Sequence, residues 1–281
     1  MKNDPYKAVW VSHSSMGDFI KCPRAYYLHN VYKDPKTKRK INIVNPALAL
    51  GVAVHEIVEG LANHKAETRF NKSIFENFEN IWKKVSGKWG GFSSIEQEED
   101  FKERAKAMLK RVEDNPGPLI EKTVKIKENE SGMPPNFHLS EEDNIILCGK
   151  IDWLIYKPED DSVQILDFKT GKNEESGESL QLPIYQLLLK NLQKRKVTGA
   201  SYWYLDKDDK PIDVSLPSVE ESFERVYKIA KQVKEAREKA EFLCPNGSPG
   251  CFFCKPFEKI IKGEAEYVGV GEMRQDLYMV G

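Results

Sequence analysis

The fold is decided by two short stretches, Gly-Lys-Ile-Asp at residues 149–152 and Val-Gln-Ile-Leu-Asp-Phe-Lys at residues 163–169. Alternate residues of a strand share one face, which places Asp167 and Lys169 on the same side of the second stretch. Both stretches belong to a predicted hairpin that is otherwise made of Ile, Leu, Val and Trp. Burying charged side chains is costly unless they are paired or bind a cation. The pattern therefore predicts a charged site, with Asp152 as its third member, on a buried hairpin.

Strands and helices are predicted on both sides of this hairpin. Alternating or β-branched runs predict strands at 119–127, 145–156, 163–169, 200–205 and 211–216. Helical spacing of apolar residues predicts helices at 14–30, 47–64, 179–195 and 218–240, and the polar region 70–115 is predicted to be all helical. This order of elements predicts an α/β fold, with a central sheet of mixed direction flanked by helices.

The chain length of 281 residues suits a single domain, predicted to span residues 1–281. Within it we predict a helical region or insertion at 47–118 and a sheet core that carries the charged site at 119–216. A C-terminal helix and a cysteine-rich tail follow at 218–281.

The composition is that of an ordinary globular protein, with 40% hydrophobic and 31% charged residues and a net charge of −1. No run of about 18 apolar residues is present, which predicts no membrane span. The N-terminal residues lack the apolar core of a secretory signal, so the sequence predicts a cytoplasmic protein. Basic clusters at 33–40 and 190–196 are candidate phosphate contacts if they flank the site.

The chemistry of the hairpin favours a divalent cation. Magnesium prefers oxygen ligands and keeps several waters, so Asp152 and Asp167 on adjacent antiparallel strands suffice to hold it. Lys169 projects from the same face as Asp167, where an ammonium group stabilises developing negative charge. These groups suit the hydrolysis of phosphodiester bonds. Taken alone, the pair Asp167 and Lys169 is equally explained as a surface ion pair across two strands.

Further motifs extend this pattern along the chain. They are Ser12-x-Ser14 with Phe19-x-x-Cys22-Pro23-Arg24-x-Tyr26, Gly51-x-x-x-His55, Gly149-Lys150-Ile151-Asp152, Asp167-Phe168-Lys169-Thr170-Gly171, and Gln181-x-x-x-Tyr185. In this order the motifs resemble the RecB-like branch of the PD-(D/E)XK nucleases, which includes CRISPR-associated RecB-family exonucleases and many phage exonucleases. The resemblance runs from residue 12 to residue 254 and implies a restriction-endonuclease-like core.

The resemblance implies roles for individual residues. His55, Asp152 and Asp167 would be ligands of Mg²⁺ or Mn²⁺, with the carbonyl oxygen of Phe168 as a further ligand. Lys169 would be the catalytic lysine. Gln181 and Tyr185, one helical turn apart, would contact the DNA backbone or order the site.

The function implied by the resemblance is that of a metal-dependent deoxyribonuclease, an exonuclease on single-stranded or end-containing DNA. The alternative is a catalytically inactive DNA-binding or assembly module on the same fold. Recombination, repair and CRISPR-adaptation proteins are the partners that the resemblance suggests. No motif encodes the polarity of cleavage.

Four of the five cysteines form a second candidate site. In a cytoplasmic chain clustered cysteines indicate metal rather than disulfides. The resemblance implies that one N-terminal and three C-terminal cysteines hold an iron–sulfur cluster (4Fe-4S), and Zn²⁺ accepts the same four thiolates. The tail departs from the family pattern, because no cysteine closes it after the last pair and an upstream cysteine takes that place. The four predicted ligands are Cys22, Cys244, Cys251 and Cys254.

Overall fold

The computed structural model describes residues 7–126 and 133–281, and these residues form ten strands and eight α-helices. The strands are β1 (Val9–Val11), β2 (Ile41–Ile43), β3 (Asn136–Ser140), β4 (Ile145–Cys148), β5 (Trp153–Lys157), β6 (Ser162–Lys169), β7 (Val197–Tyr204), β8 (Ile212–Val214), β9 (Glu266–Val270) and β10 (Asp276–Met279). The helices are α1 (His13–Lys21), α2 (Pro23–Tyr26), α3 (Pro46–Gly60), α4 (Phe78–Lys84), α5 (Ile95–Asp114), α6 (Gln181–Leu192), α7 (Val219–Lys239) and α8 (Lys255–Ile261).

The central sheet has the strand order β5-β6-β7-β8. β5 and β6 form the predicted antiparallel hairpin, β6 runs parallel to β7, and β8 is antiparallel to β7. The parallel step from β6 to β7 is made by α6, as expected for a crossover connection. The prediction of a mixed α/β fold is confirmed.

Helices cover both faces of this sheet. On one face Trp153, Leu166, Phe168 and Trp203 pack in a buried cluster with α3, α4 and α5. On the other face the alternate residues of the same strands, Ile165 among them, pack with α1, α6 and α7. Trp82 and Phe92 lie inside the first cluster and are core residues, whereas Trp89 is half exposed. Burial on both faces explains why the strands are rich in apolar residues.

The predicted strand 145–156 is wrong in its middle. β4 ends at Cys148 and joins a second sheet, of order β1-β4-β3, while β5 begins at Trp153. Residues 149–152 cross between the two sheets. A Cβ atom at Gly149 would lie only 3.1 Å from Leu188 on α6, so glycine lets the chain pass close to that helix.

The predicted strand 119–127 is also wrong over its described residues. A short 3₁₀ turn spans Gly117–Ile120, and a single bridge joins Thr123 to Ile155. The buried guanidinium of Arg69 donates to the carbonyls of Leu119 and Glu121, which are then unavailable to a neighbouring strand. Residue 127 lies outside the described residues.

One other prediction needs correction. The predicted helix 14–30 breaks at Cys22, whose backbone is extended before Pro23, and α2 continues into a π-helical turn at Tyr27–Val31. The C-terminal tail contains strands β9 and β10, which form a third sheet with β2. Buried Asp276 on β10 binds Arg39, fixing the tail to the N-terminal part of the chain.

Over residues 7–126 and 133–281, no helix is long and apolar enough to cross a membrane.

Candidate active site

The charged residues of the hairpin meet at one end of the central sheet. Asp167 and Lys169 lie at the end of β6, and Asp152 lies directly before β5, the antiparallel neighbour of β6. α3 places His55 at the same end of the sheet, and the first turn of α6 places Gln181 there. The described structure thus brings together the residues that the motifs single out.

Asp167 is held by the first helical turn of α6. Its side chain is 1% exposed, and its Oδ1 accepts hydrogen bonds from Gln181 Nε2 at 2.7 Å and from the Tyr185 hydroxyl at 3.2 Å. Its Oδ2 is buried and forms an ion pair with Lys169, whose Nζ lies 2.9 Å away. The carboxylate is therefore paired, and a cation bound at Oδ2 would have to displace the ammonium.

His55 and Asp152 form the other half of the site. His55 Nδ1 lies 3.0 Å from Glu59 Oε1 and 3.4 Å from Asp152 Oδ2. The same Asp152 oxygen accepts the backbone N–H of Phe168 at 3.1 Å. Ligand atoms of His55, Glu59 and Asp152 lie within 4.8 Å of one another, as in a metal-binding group. Lys150 forms an ion pair with Glu59 at 2.6 Å.

The electrostatics indicate excess negative charge. Burial, and next the charge of Asp167, raise the pKa of Asp152 to about 7. Burial, with the same two carboxylates, also raises the pKa of Tyr185 well above its ordinary value. Burial alone would lower the pKa of His55, but Glu59 and Asp152 raise it overall. A bound cation would offset the repulsion and the burial that raise the pKa of Asp152.

The donor set fits a hard divalent cation. Asp152 and Glu59 supply carboxylate oxygens, the ligands that Mg²⁺ and Mn²⁺ prefer. With His55 they form the group whose ligand atoms lie within 4.8 Å of one another, and Asp167 is not part of that group. Phe168 donates its backbone N–H to Asp152. Its ring packs edge-on against the His55 ring, with the ring centroids 6.2 Å apart. The role of its carbonyl oxygen as a ligand stays a prediction.

Lys169 is surrounded by acceptors. Its Nζ lies 2.9 Å from Asp167 Oδ2 and 3.1 Å from Glu175 Oε2, and it donates to Gln181 Oε1. Burial alone would lower the pKa of Lys169, but the two carboxylates raise it overall. The ammonium group is therefore kept charged within the site.

Sequence reasoning missed three residues at this site. Glu59 stands one helical turn after His55, a spacing that could have identified it. Glu175 comes from the loop between β6 and α6 and His13 from the start of α1, where no periodic pattern pointed to the site. His13 is close enough to Glu175 and Lys169 to be influenced by their charges, and its burial lowers its pKa.

The contacts of Tyr185 favour an ordering role over a contact with the DNA backbone. Its hydroxyl binds Asp167 and Gln181, and its side chain is 5% exposed. We expect Tyr185→Phe to lower kcat by about fivefold, because one hydrogen bond to a charged group is lost. KM for DNA should not change. Steady-state kinetics on a DNA substrate measures both, and a raised KM with unchanged kcat would instead support a DNA contact.

The four predicted cysteines form a second, separate cluster. All four are buried, their sulfur atoms lie within 4.8 Å of one another, and Cys254 Sγ is 3.8 Å from Cys244 Sγ. Cys22 is supplied by the break between α1 and α2, where Ala25 N–H points at its sulfur. Burial raises the pKa of Cys22 to about 12. Burial also opposes ionisation of Cys251, but the backbone N–H groups of Cys254 and Phe253 lower its pKa to about 7.

The spacing of these sulfur atoms bears on what they bind. Four thiolates around a single tetrahedral ion, each at about 2.3 Å, lie about 3.8 Å apart. In a cubane cluster each thiolate binds a different iron, so the thiolates are held further apart. The compact arrangement of the four sulfur atoms can bind a metal ion or a cluster.

Comparison with known proteins agrees with this geometry. The family model described as the PD-(D/E)XK nuclease superfamily matches residues 10–256, which includes both the charged site and all four clustered cysteines. Among curated proteins no match was found.

Proposed function

The chain belongs to the PD-(D/E)XK nuclease superfamily, and from this premise we propose that it is a metal-dependent DNA exonuclease acting on single-stranded or end-containing DNA. One observation carries the proposal. Asp152, Asp167 and Lys169 converge with His55 at one end of the sheet, where Asp152 lies 3.4 Å from His55 and Asp167 lies 2.9 Å from Lys169. That arrangement is expected of a nuclease centre and unusual for a structural ion-pair network.

Each residue has a distinct task in this proposal. Asp152, Asp167 and His55 hold Mg²⁺ or Mn²⁺, and the bound cation supplies activation of water and neutralisation of phosphate charge. Lys169 keeps its ammonium beside the reacting phosphate and stabilises the charge that develops there. Gln181 links the two groups, since its amide donates to Asp167 and accepts from Lys169.

The test of exonuclease action uses two substrates of the same sequence. We expect the protein to degrade end-labelled linear single-stranded DNA with Mn²⁺ or Mg²⁺ and to leave a covalently closed circle intact, because only the linear form has an end. Products are resolved on a denaturing gel, and EDTA should abolish them. Cutting of the circle would make the protein an endonuclease. Intact binding without any cleavage would support the alternative of an inactive DNA-binding or assembly module.

For the four cysteines we propose an iron–sulfur cluster as the bound group, which is what the resemblance implies, with a zinc ion as the alternative. Metal analysis of protein purified without oxygen distinguishes an iron–sulfur cluster from a zinc ion. One zinc per chain and no visible absorption would establish a single-ion site, whereas iron with acid-labile sulfide and absorption in the visible range would establish the cluster.

A further inference from the structure

Lys169 lies between two carboxylates, and the second of them has no role in the proposal above. Glu175 Oε2 is 3.1 Å from Lys169 Nζ, which also lies 2.9 Å from Asp167 Oδ2. Glu175 lies in the loop before α6, and its backbone N–H donates to the Tyr204 hydroxyl at 2.9 Å. Burial would raise the pKa of Glu175, but Ser179 and Lys169 lower it overall, so its carboxylate is charged.

The lysine and a divalent cation compete for the same oxygen. The ammonium group lies 2.9 Å from Asp167 Oδ2, an oxygen of the carboxylate that the proposed function assigns to the cation. A cation at this atom would repel the ammonium, which must then move away from Asp167. Glu175 offers a second negative charge within reach, so the displaced ammonium remains paired. Among the described residues, the lysine would without Glu175 contact a single carboxylate, that of Asp167, which the cation needs.

We propose that Glu175 is a positioning residue that draws Lys169 away from Asp167 and thereby allows the divalent cation to bind. This inference rests on the proposed metal-dependent function and adds a residue that the motifs do not contain. Glu175 acts through the lysine and does not contact the cation itself. Its removal should therefore weaken cation binding only while the lysine is present.

The test measures Mn²⁺ binding directly, by isothermal titration calorimetry on the whole protein without DNA. We expect Glu175→Gln to raise the Kd for Mn²⁺ by about fivefold, the factor that corresponds to loss of one partly exposed ion pair. Glu175→Asp should restore most of the affinity. The matched control is Glu174→Gln, which removes the same charge from the adjacent residue but affects only the exposed pair with Lys207. It should bind Mn²⁺ like the wild type.

A second pair of variants isolates the route through the lysine. In a Lys169→Met background, adding Glu175→Gln should change the Kd by less than about twofold, because no ammonium remains to be repositioned. An equal loss of affinity in both backgrounds would overturn the inference, since Glu175 would then act on the cation directly. Unchanged affinity of Glu175→Gln would also overturn it while leaving the nuclease proposal intact. Failure of the wild type to bind Mn²⁺ would instead remove the proposed metal site, and this inference with it.

Discussion

Asp167→Asn and Lys169→Ala are each expected to lower the rate of DNA cleavage by about 10²- to 10³-fold. Asparagine keeps the shape of Asp167 and the oxygen that accepts from Gln181 and Tyr185, but it removes the charge that a cation needs. Alanine at position 169 removes the ammonium that the proposed function places beside the reacting phosphate. Both changes act on the reaction step, so DNA binding measured by fluorescence anisotropy should stay within about threefold of the wild type.

The chain offers a matched control for these variants. Glu121 and Lys157 form an ion pair of 2.6 Å at the far end of β5, roughly 16 Å of strand away from Asp152. Glu121→Gln removes a carboxylate with similar ion-pair geometry but outside the site, and cleavage should be unchanged. If Asp167→Asn and Lys169→Ala still cut DNA at rates near that of the control, the assigned centre is wrong.

The candidate site was largely predictable because its signals are local. Asp167 and Lys169 stand two residues apart in a strand, and Gln181 and Tyr185 stand four apart in a helix, so each pair shares a face. Glu175 could not be found in this way. It reaches Lys169 from an irregular loop, and its position depends on the contact of its backbone with Tyr204, 29 residues later.

The fold was predictable where burial dictates the pattern and unpredictable where pairing is non-local. β6 and β7 are apolar on both faces and were recognised as strands. The third sheet was missed because β9 is short and mostly exposed, and because β10 pairs with β2, more than 230 positions earlier, as well as with β9. The break at 149–152 was missed because two strands of different sheets follow each other almost without interruption.

Cys22→Ala is expected to destabilise the protein by at least about 4 kcal/mol and to release the metal from the cysteine cluster. Cys22 is the one ligand that comes from the N-terminal part of the chain, and it joins residues 244–254 to the junction of α1 and α2. Without Cys22 three thiolates remain, and they would hold a metal less tightly. The link between the two ends of the fold would also be lost. Thermal unfolding and metal analysis of purified protein measure both effects.

Cys148→Ala provides the control, because Cys148 is the fifth cysteine and lies outside the cluster, at the end of β4 with its sulfur facing the Val11 carbonyl. Its loss removes one partly buried thiol, so stability should fall by only about 1 kcal/mol and the metal content should be unchanged. Equal melting temperatures of Cys22→Ala and wild type would refute a structural metal centre. Since the cluster is separate from Asp167 and Lys169, the fraction of Cys22→Ala that remains folded should still cleave DNA. The cysteines then act on stability and not on the chemical step.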